Sequence, residues 1–233
     1  MSSAHTLWNQ RKRVALTSKF LLLAVVALPL MAQALEPAKD ASIVSYCIDD
    51  GAKGPGFETG PIRITYSDGT VIIQSLPPLK NVNACGNYDE VGIIHPKLAG
   101  DKVTLGWVVS TWSCCQSYPI PVSLMVFRSG KIIGQIRPIM PIWHWRFADR
   151  GKKVAVYCRP THGSSDNSYY LYEAKTGRLI SEASDDCYDY YDGCGLPAKA
   201  PKWAKQLEHQ VKQYEREWTN ETEKIARDAL TCP

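Results

Sequence analysis

Beyond one run of eleven residues, Phe20 to Leu30, this chain of 233 residues has no long apolar stretch. A membrane-crossing helix needs roughly 20 such residues, so this run is short for an uncleaved membrane anchor and a soluble remainder is expected. No His-Glu-x-x-His, Gly-x-Ser-x-Gly or Gly-rich phosphate loop occurs. The sequence therefore carries no signature of a zinc protease, an elbow-type serine hydrolase or a nucleotide-binding protein. Cys-x-x-Cys is absent as well, which removes the usual spacing for structural zinc and for dithiol redox chemistry.

Net charge is also missing once the first 34 residues are set aside. Those residues hold four of the 27 basic side chains, Arg11, Lys12, Arg13 and Lys19, and none of the 23 acidic ones. The remainder balances 23 against 23 and gives no long-range attraction to nucleic acid or an anionic membrane. A basic start, the run Phe20–Leu30 and then Ala32-Gln33-Ala34 form the three-part layout of a secretory signal peptide. Cleavage is expected after Ala34, with no stable membrane anchor left behind. A periplasmic or secreted protein of a bacterial cell envelope follows.

All eight cysteines lie after that point: Cys47, Cys85, Cys114, Cys115, Cys158, Cys187, Cys194 and Cys232. An even number in an oxidising compartment reads as structural disulfides, in any of 105 pairings. Cys187 and Cys194 are the easiest local pair, closing the segment CYDYYDGC. Cys114 and Cys115 sit in TWSCCQSYP, where successive side chains at a strand end point opposite ways. They are expected to reach two different neighbours, with Cys158 the best partner for one of them.

Three segments share one pattern: YSDGTVII around Gly69, FRSGKIIG around Gly130 and AKTGRLIS around Gly177. Each is preceded by a strand-like stretch, so each reads as a hairpin with a tight Gly turn. Between them, LAGDKVTLGW aligns with ADRGKKVAVY, with Gly100 and Gly151 at matching places. Each unit then reads as a four-stranded antiparallel meander of about 45 to 50 residues. In this the chain resembles β-propeller repeats of the WD40 or YVTN-like kind, over roughly Ser42 to Ser184. The resemblance implies blade-like sheets. Only two full units and one preceding hairpin, Pro61 to Leu76, are present, against the four or more blades of a closed propeller. A partial propeller, a sandwich or a two-chain assembly all remain open.

The tail differs. Trp203, Leu207, Val211, Tyr214, Trp218, Ile225 and Ala229 recur at helical steps, and Pro201 suits a first turn. The expected fold is mainly β, built of meander repeats, disulfide-stapled and covered by a C-terminal amphipathic helix. Its parts are a signal peptide (1–34), a β-repeat domain (35–197) and the helical segment (198–233).

Candidate chemistry is sparse. His162 stands near Ser164, Ser165 and Asp166, but a triad is defined in space and this stretch reads as an interstrand loop. PIWHWRF is expected to place Trp143 and Trp145 on one strand face and His144 on the other, the pair of indoles belonging to the core, with stacking on sugar rings as the alternative. The Tyr/Asp segment after Ser184 offers a recognition surface in Tyr188, Asp189, Tyr190, Tyr191 and Asp192. Asp185, Asp186, Asp189 and Asp192 lack the spacing of a calcium loop, although a looser calcium site stays open. No catalytic residue, metal ligand or cofactor is assigned. The function expected is a non-enzymatic binding or scaffold protein with a protein or glycan partner. The alternatives are a structural component docking through its C-terminal helix, and a hydrolase of envelope polymers.

Overall fold

Along the strand Thr104–Trp112 the side chains alternate, with Leu105, Trp107 and Val109 on one side and Val108 on the other. All four are at 0% exposure. A strand buried on both faces lies in a middle layer, and the architecture is a stack of layers.

The computed structural model describes residues 41–49, 53–54, 57–76, 90–112, 119–160, 167–185 and 195–221. They form β1 (Ile43–Ile48), β2 (Lys53–Gly54), β3 (Phe57–Glu58), β4 (Ile62–Tyr66), β5 (Val71–Gln74), β6 (Glu90–Leu98) and β7 (Thr104–Trp112). There follow β8 (Ile120–Arg128), β9 (Lys131–Ile136), β10 (Ile142–Ala148), β11 (Lys153–Cys158), β12 (Ser168–Glu173), β13 (Leu179–Ser184) and α1 (Lys202–Glu221). The chain divides into two units at Gln33/Ala34, and every described residue belongs to the second. The expected signal segment lies outside the described residues. No described helix is long and apolar enough to cross a membrane.

Three antiparallel sheets result, ordered β1-β4-β5, β2-β3-β6-β7-β8-β9 and β10-β11-β12-β13. The two expected meanders are β6 to β9 and β10 to β13, and the hairpin before them is β4–β5. Ile43, Ile48, Ile62, Ile64 and Tyr66 of the first sheet pack on Leu105, Trp107, Met125 and Phe127 of the second. The opposite face of the second sheet, with Val108, Leu124, Val126 and Ile136, packs on Ile142, Trp145, Val154 and Val156 of the third. The outer face of the third sheet, with Ala155, Tyr157, Tyr169 and Leu171, is covered by Ala204, Leu207 and Val211 of α1. The order is sheet, sheet, sheet, helix.

Of the expected helical stripe, Trp203, Leu207 and Val211 pack on the third sheet. Trp218 has no described side chain, and Ile225 and Ala229 lie outside the described residues. Burying Leu207 and Val211 contributes about 3–5 kcal/mol in all, which decides whether the helix stands, since isolated helices of this size are marginal in water.

The sheets meet at corners that admit no extra atoms. A Cβ on Gly134 of β9 would lie 2.1 Å from the Ala174 carbonyl oxygen, and one on Gly177 would lie 2.5 Å from the Gln135 carbonyl oxygen. Ser129 and Gly130 both have positive φ (49° and 79°), as a type I′ hairpin turn requires. The Gly100 and Gly151 turns prove unlike. Gly151 has φ +86° and its Cβ direction runs into Ala99, whereas at Gly100 nothing lies within 4 Å and the positive φ falls on Lys102 (61°). Asp101 shapes that turn instead, its carboxylate accepting from Val103 N, Thr104 N and Thr104 Oγ1 at 3.1, 3.0 and 2.7 Å.

The cysteine expectations divide. Cys47 is disulfide-bonded. Cys158 corrects the pairing expected with Cys114 or Cys115: its thiol is free and at 0% exposure. As the last residue of β11 it alternates inward with Val154 and Val156, into the interface between the second and third sheets rather than toward a loop. Cys85, Cys114, Cys115, Cys187, Cys194 and Cys232 lie outside the described residues.

Candidate functional site

Two bulges build the site. In β6, Ile94 pairs with Val108 and Lys97 with Gly106, so β6 carries one residue more than β7 between these points. The extra residue falls at His95-Pro96, where proline lacks the N–H that a regular ladder would use. His95 takes φ +50° there, a left-handed conformation held by its surroundings. The Trp145 indole Nε1 donates to the His95 carbonyl oxygen at 3.1 Å. The Lys97 ammonium donates to the Trp145 carbonyl oxygen and stands 5.3 Å over the indole ring.

The second bulge is in β10. Ile142 pairs with Cys158 and His144 with Tyr157, which makes Trp143 the extra residue. Ile142 and Trp145 consequently point the same way although three residues apart. This corrects the expected geometry of PIWHWRF. Trp145 is buried at 0% exposure between the second and third sheets, above Gly106, whose added Cβ would meet Trp145 Cη2 at 2.8 Å. Trp143 turns to the helix side, donating from Nε1 to the Arg159 carbonyl oxygen at 3.0 Å, with the Arg159 guanidinium 4.8 Å over its ring. The two rings make no shared platform for a sugar.

His144 lies on the α1 side, its ring 5.4 Å from that of Tyr214. The Tyr214 ring also meets His95, at 6.1 Å and edge-on. Thus β6, β10 and α1 converge on two imidazoles, one ammonium and one phenol. Burial, with Lys97, His95 and Arg146 nearby, lowers the His144 pKa to about 3, so its imidazole is neutral at ordinary pH. Burial and Lys97 also lower His95. Its side chain keeps an exposed edge where water opposes that shift, which makes His144 the firmer neutral group. Burial lowers Lys97 to about 8.

Arg146, two residues beyond His144, donates from Nη2 to Gln206 Oε1 on α1 at 3.0 Å. Its Nε is shut off from solvent and has no acceptor among the described residues. From Arg146 a groove runs between β10 and α1. One section, about 340 Å³, is lined by Lys97, His144, Arg146, Gln210, Gln213 and Tyr214. The next, about 370 Å³, is lined by Arg146, Lys202, Lys205, Gln206, His209 and Gln210. Arg146 and Gln210 belong to both, so the sections adjoin, and among the described residues no carboxylate lines either.

The residues singled out in the sequence lie elsewhere. Tyr188, Asp189, Tyr190, Tyr191 and Asp192 are outside the described residues, as are Asp186 and the stretch from His162 to Asp166. Asp185 is described and buried. Its two oxygens accept from Asn167 N and Nδ2, each at 2.7 Å, while Asn167 Oδ1 accepts from the Tyr157 hydroxyl at 2.8 Å. Asp185 therefore anchors the end of β13 to the start of β12. Among the described residues no group of three or more His, Cys, Asp or Glu is placed to hold a metal ion.

The groove residues had one sequence signal. Lys202, Lys205, Gln206, His209, Gln210 and Gln213 recur at helical spacing on the face beside the apolar stripe, without an acidic residue among them. Arg146 and Lys97 had none, because each reaches the groove through a bulge. Compared with known proteins, the chain matches no family model and no curated protein.

Proposed function

We propose that the chain is an exported, non-enzymatic binding protein of the bacterial cell envelope, with the groove between β10 and α1 as its ligand site. The observation that carries this reading is a groove of two adjoining sections whose described lining residues carry hydrogen-bond donors and include no carboxylate. On this reading the layered sheets are blade-like units of a partial propeller, stapled by disulfides after export. They form a rigid scaffold against which α1 is held, and the partner is a glycan or protein of the envelope.

A hydrolase is the second reading, and one observation favours it: the groove joins His144 to an aromatic ring. An imidazole held near a pKa of about 3 is a weak base at neutral pH. The groove offers it neither a carboxylate to orient it nor a serine or cysteine to activate. Docking through the apolar face of α1 has less support, because Ala204, Leu207 and Val211 already cover the third sheet.

Native mass spectrometry of the protein released from the exported fraction tests the binding reading. A bound small molecule or oligomer is expected, lost on denaturation and lost in Arg146→Glu. Ligand-free protein that degrades an envelope polymer, with loss of that activity in His144→Ala, would establish the hydrolase instead.

A further inference from the structure

The groove is electrostatically one-sided, although the residues from 35 onward balance 23 basic against 23 acidic side chains. Arg146, Lys202 and Lys205 line one section and Lys97 the other, and none of the four has a carboxylate partner among the described residues. The described acids of α1 are engaged elsewhere. Glu208 accepts from Lys212 Nζ at 2.8 Å and from Leu196 N at 3.1 Å, and Glu215 pairs with Arg159 at 3.6 Å.

The rest of the lining narrows the ligand further. Gln206 and Gln210 each offer a donor and an acceptor, which suits hydroxyl groups. Among the described residues Tyr214 is the one aromatic side chain in the lining and no aliphatic side chain joins it, so the groove offers few of the apolar anchors by which a peptide is held. From Lys202 to Gln213 the helix runs about 16 Å, at 1.5 Å per residue, so the site is long and open rather than a closed pocket.

We infer that the groove binds an extended acidic glycan, whose carboxylate or sulfate groups meet Arg146, Lys202 and Lys205 and whose hydroxyls meet Gln206 and Gln210. This rests on the binding reading given above and adds the chemical class of the ligand.

The test is calorimetric titration of the full exported protein with polygalacturonate, dextran sulfate and neutral dextran, at low and high salt. Binding to at least one acidic polymer is expected, weakening as salt rises, with none to neutral dextran. The response to polygalacturonate against dextran sulfate identifies the oxyanion. Lys202 and Lys205 are exposed, so Lys202→Glu with Lys205→Glu tests the groove without disturbing the core. That double variant is expected to weaken binding at least about tenfold by reversing two charges at the site. Lys131 and Lys152 are exposed and outside the groove, and reversing them is expected to change affinity less than about twofold. Equal loss in both double variants would overturn the inference, since binding would then follow total charge. Failure of both acidic polymers to bind would overturn it too. If neutral dextran binds and only the groove variant loses it, the anionic class falls while the groove stands as a binding site.

Discussion

At position 134 a single methyl group is too many. The Gly134 Cβ would face the Ala174 carbonyl oxygen at 2.1 Å, and because both are backbone neither can swing aside. Gly134→Ala should therefore part β9 from the start of the β12–β13 turn and lower stability by about 1–3 kcal/mol. Gly100→Ala enters open space with no positive φ to satisfy, and should stay within about 0.5 kcal/mol of the parent. Urea midpoints compare them directly, and equal midpoints would refute the close approach. His144 adds a pH dependence. Its neighbours from each layer are His95 and Lys97 of β6, Arg146 of β10 and Tyr214 of α1. With a folded pKa of about 3 against an ordinary 6.5, the folded chain refuses a proton that the unfolded chain accepts. Stability is thus complete above pH 6.5 and falls as pH drops from 6.5 toward 3, by up to about 2 kcal/mol at pH 5. His144→Phe keeps an aromatic ring against Tyr214 and should flatten that slope. An unchanged slope would assign the acid sensitivity to other groups.

The helix and the two bulges show which elements the sequence made readable. Helical spacing placed α1, and its apolar stripe is the face that lies on β11 and β12. Short Gly turns placed the strands of both meanders, because hairpin geometry is local. The bulges were not readable in this way. Alternation alone puts Trp143 and Trp145 together, and only the pairing of β10 with β11 shows that one residue is extra. The groove follows from those bulges, so its strand-borne half, Lys97 and Arg146, was hidden while its helix-borne half was in view. Leu207 tests whether α1 is held as described. Leu207→Ala removes a side chain at 0% exposure and should destabilise by about 2–5 kcal/mol. Hydrogen exchange should show α1 opening before the central strands, since α1 is held through one face only. If α1 and β7 lose protection together, the helix is instead part of one cooperative unit with the sheets.

Across the whole molecule the cysteines obey parity. The chain has eight, Cys158 is free and Cys47 is bonded. Bonds within one chain use cysteines two at a time, so a single free thiol among eight is impossible for a monomer. Either a second thiol is also free, or one cysteine bonds to another chain. Cys158 itself cannot make that outside bond, since it lies at 0% exposure between two sheets and burial pushes its thiol pKa up, away from the reactive thiolate. Thiol titration of unreduced protein, native and then in denaturant, reads the outcome. Cys158 should be silent in the native protein and react on unfolding. The denatured count should be even and at least two for a chain that runs as a monomer on a non-reducing gel. An odd count should accompany a disulfide-linked dimer. A count of zero would mean that Cys158 is bonded, and β11 would then have to turn its last residue out of the interface between the second and third sheets.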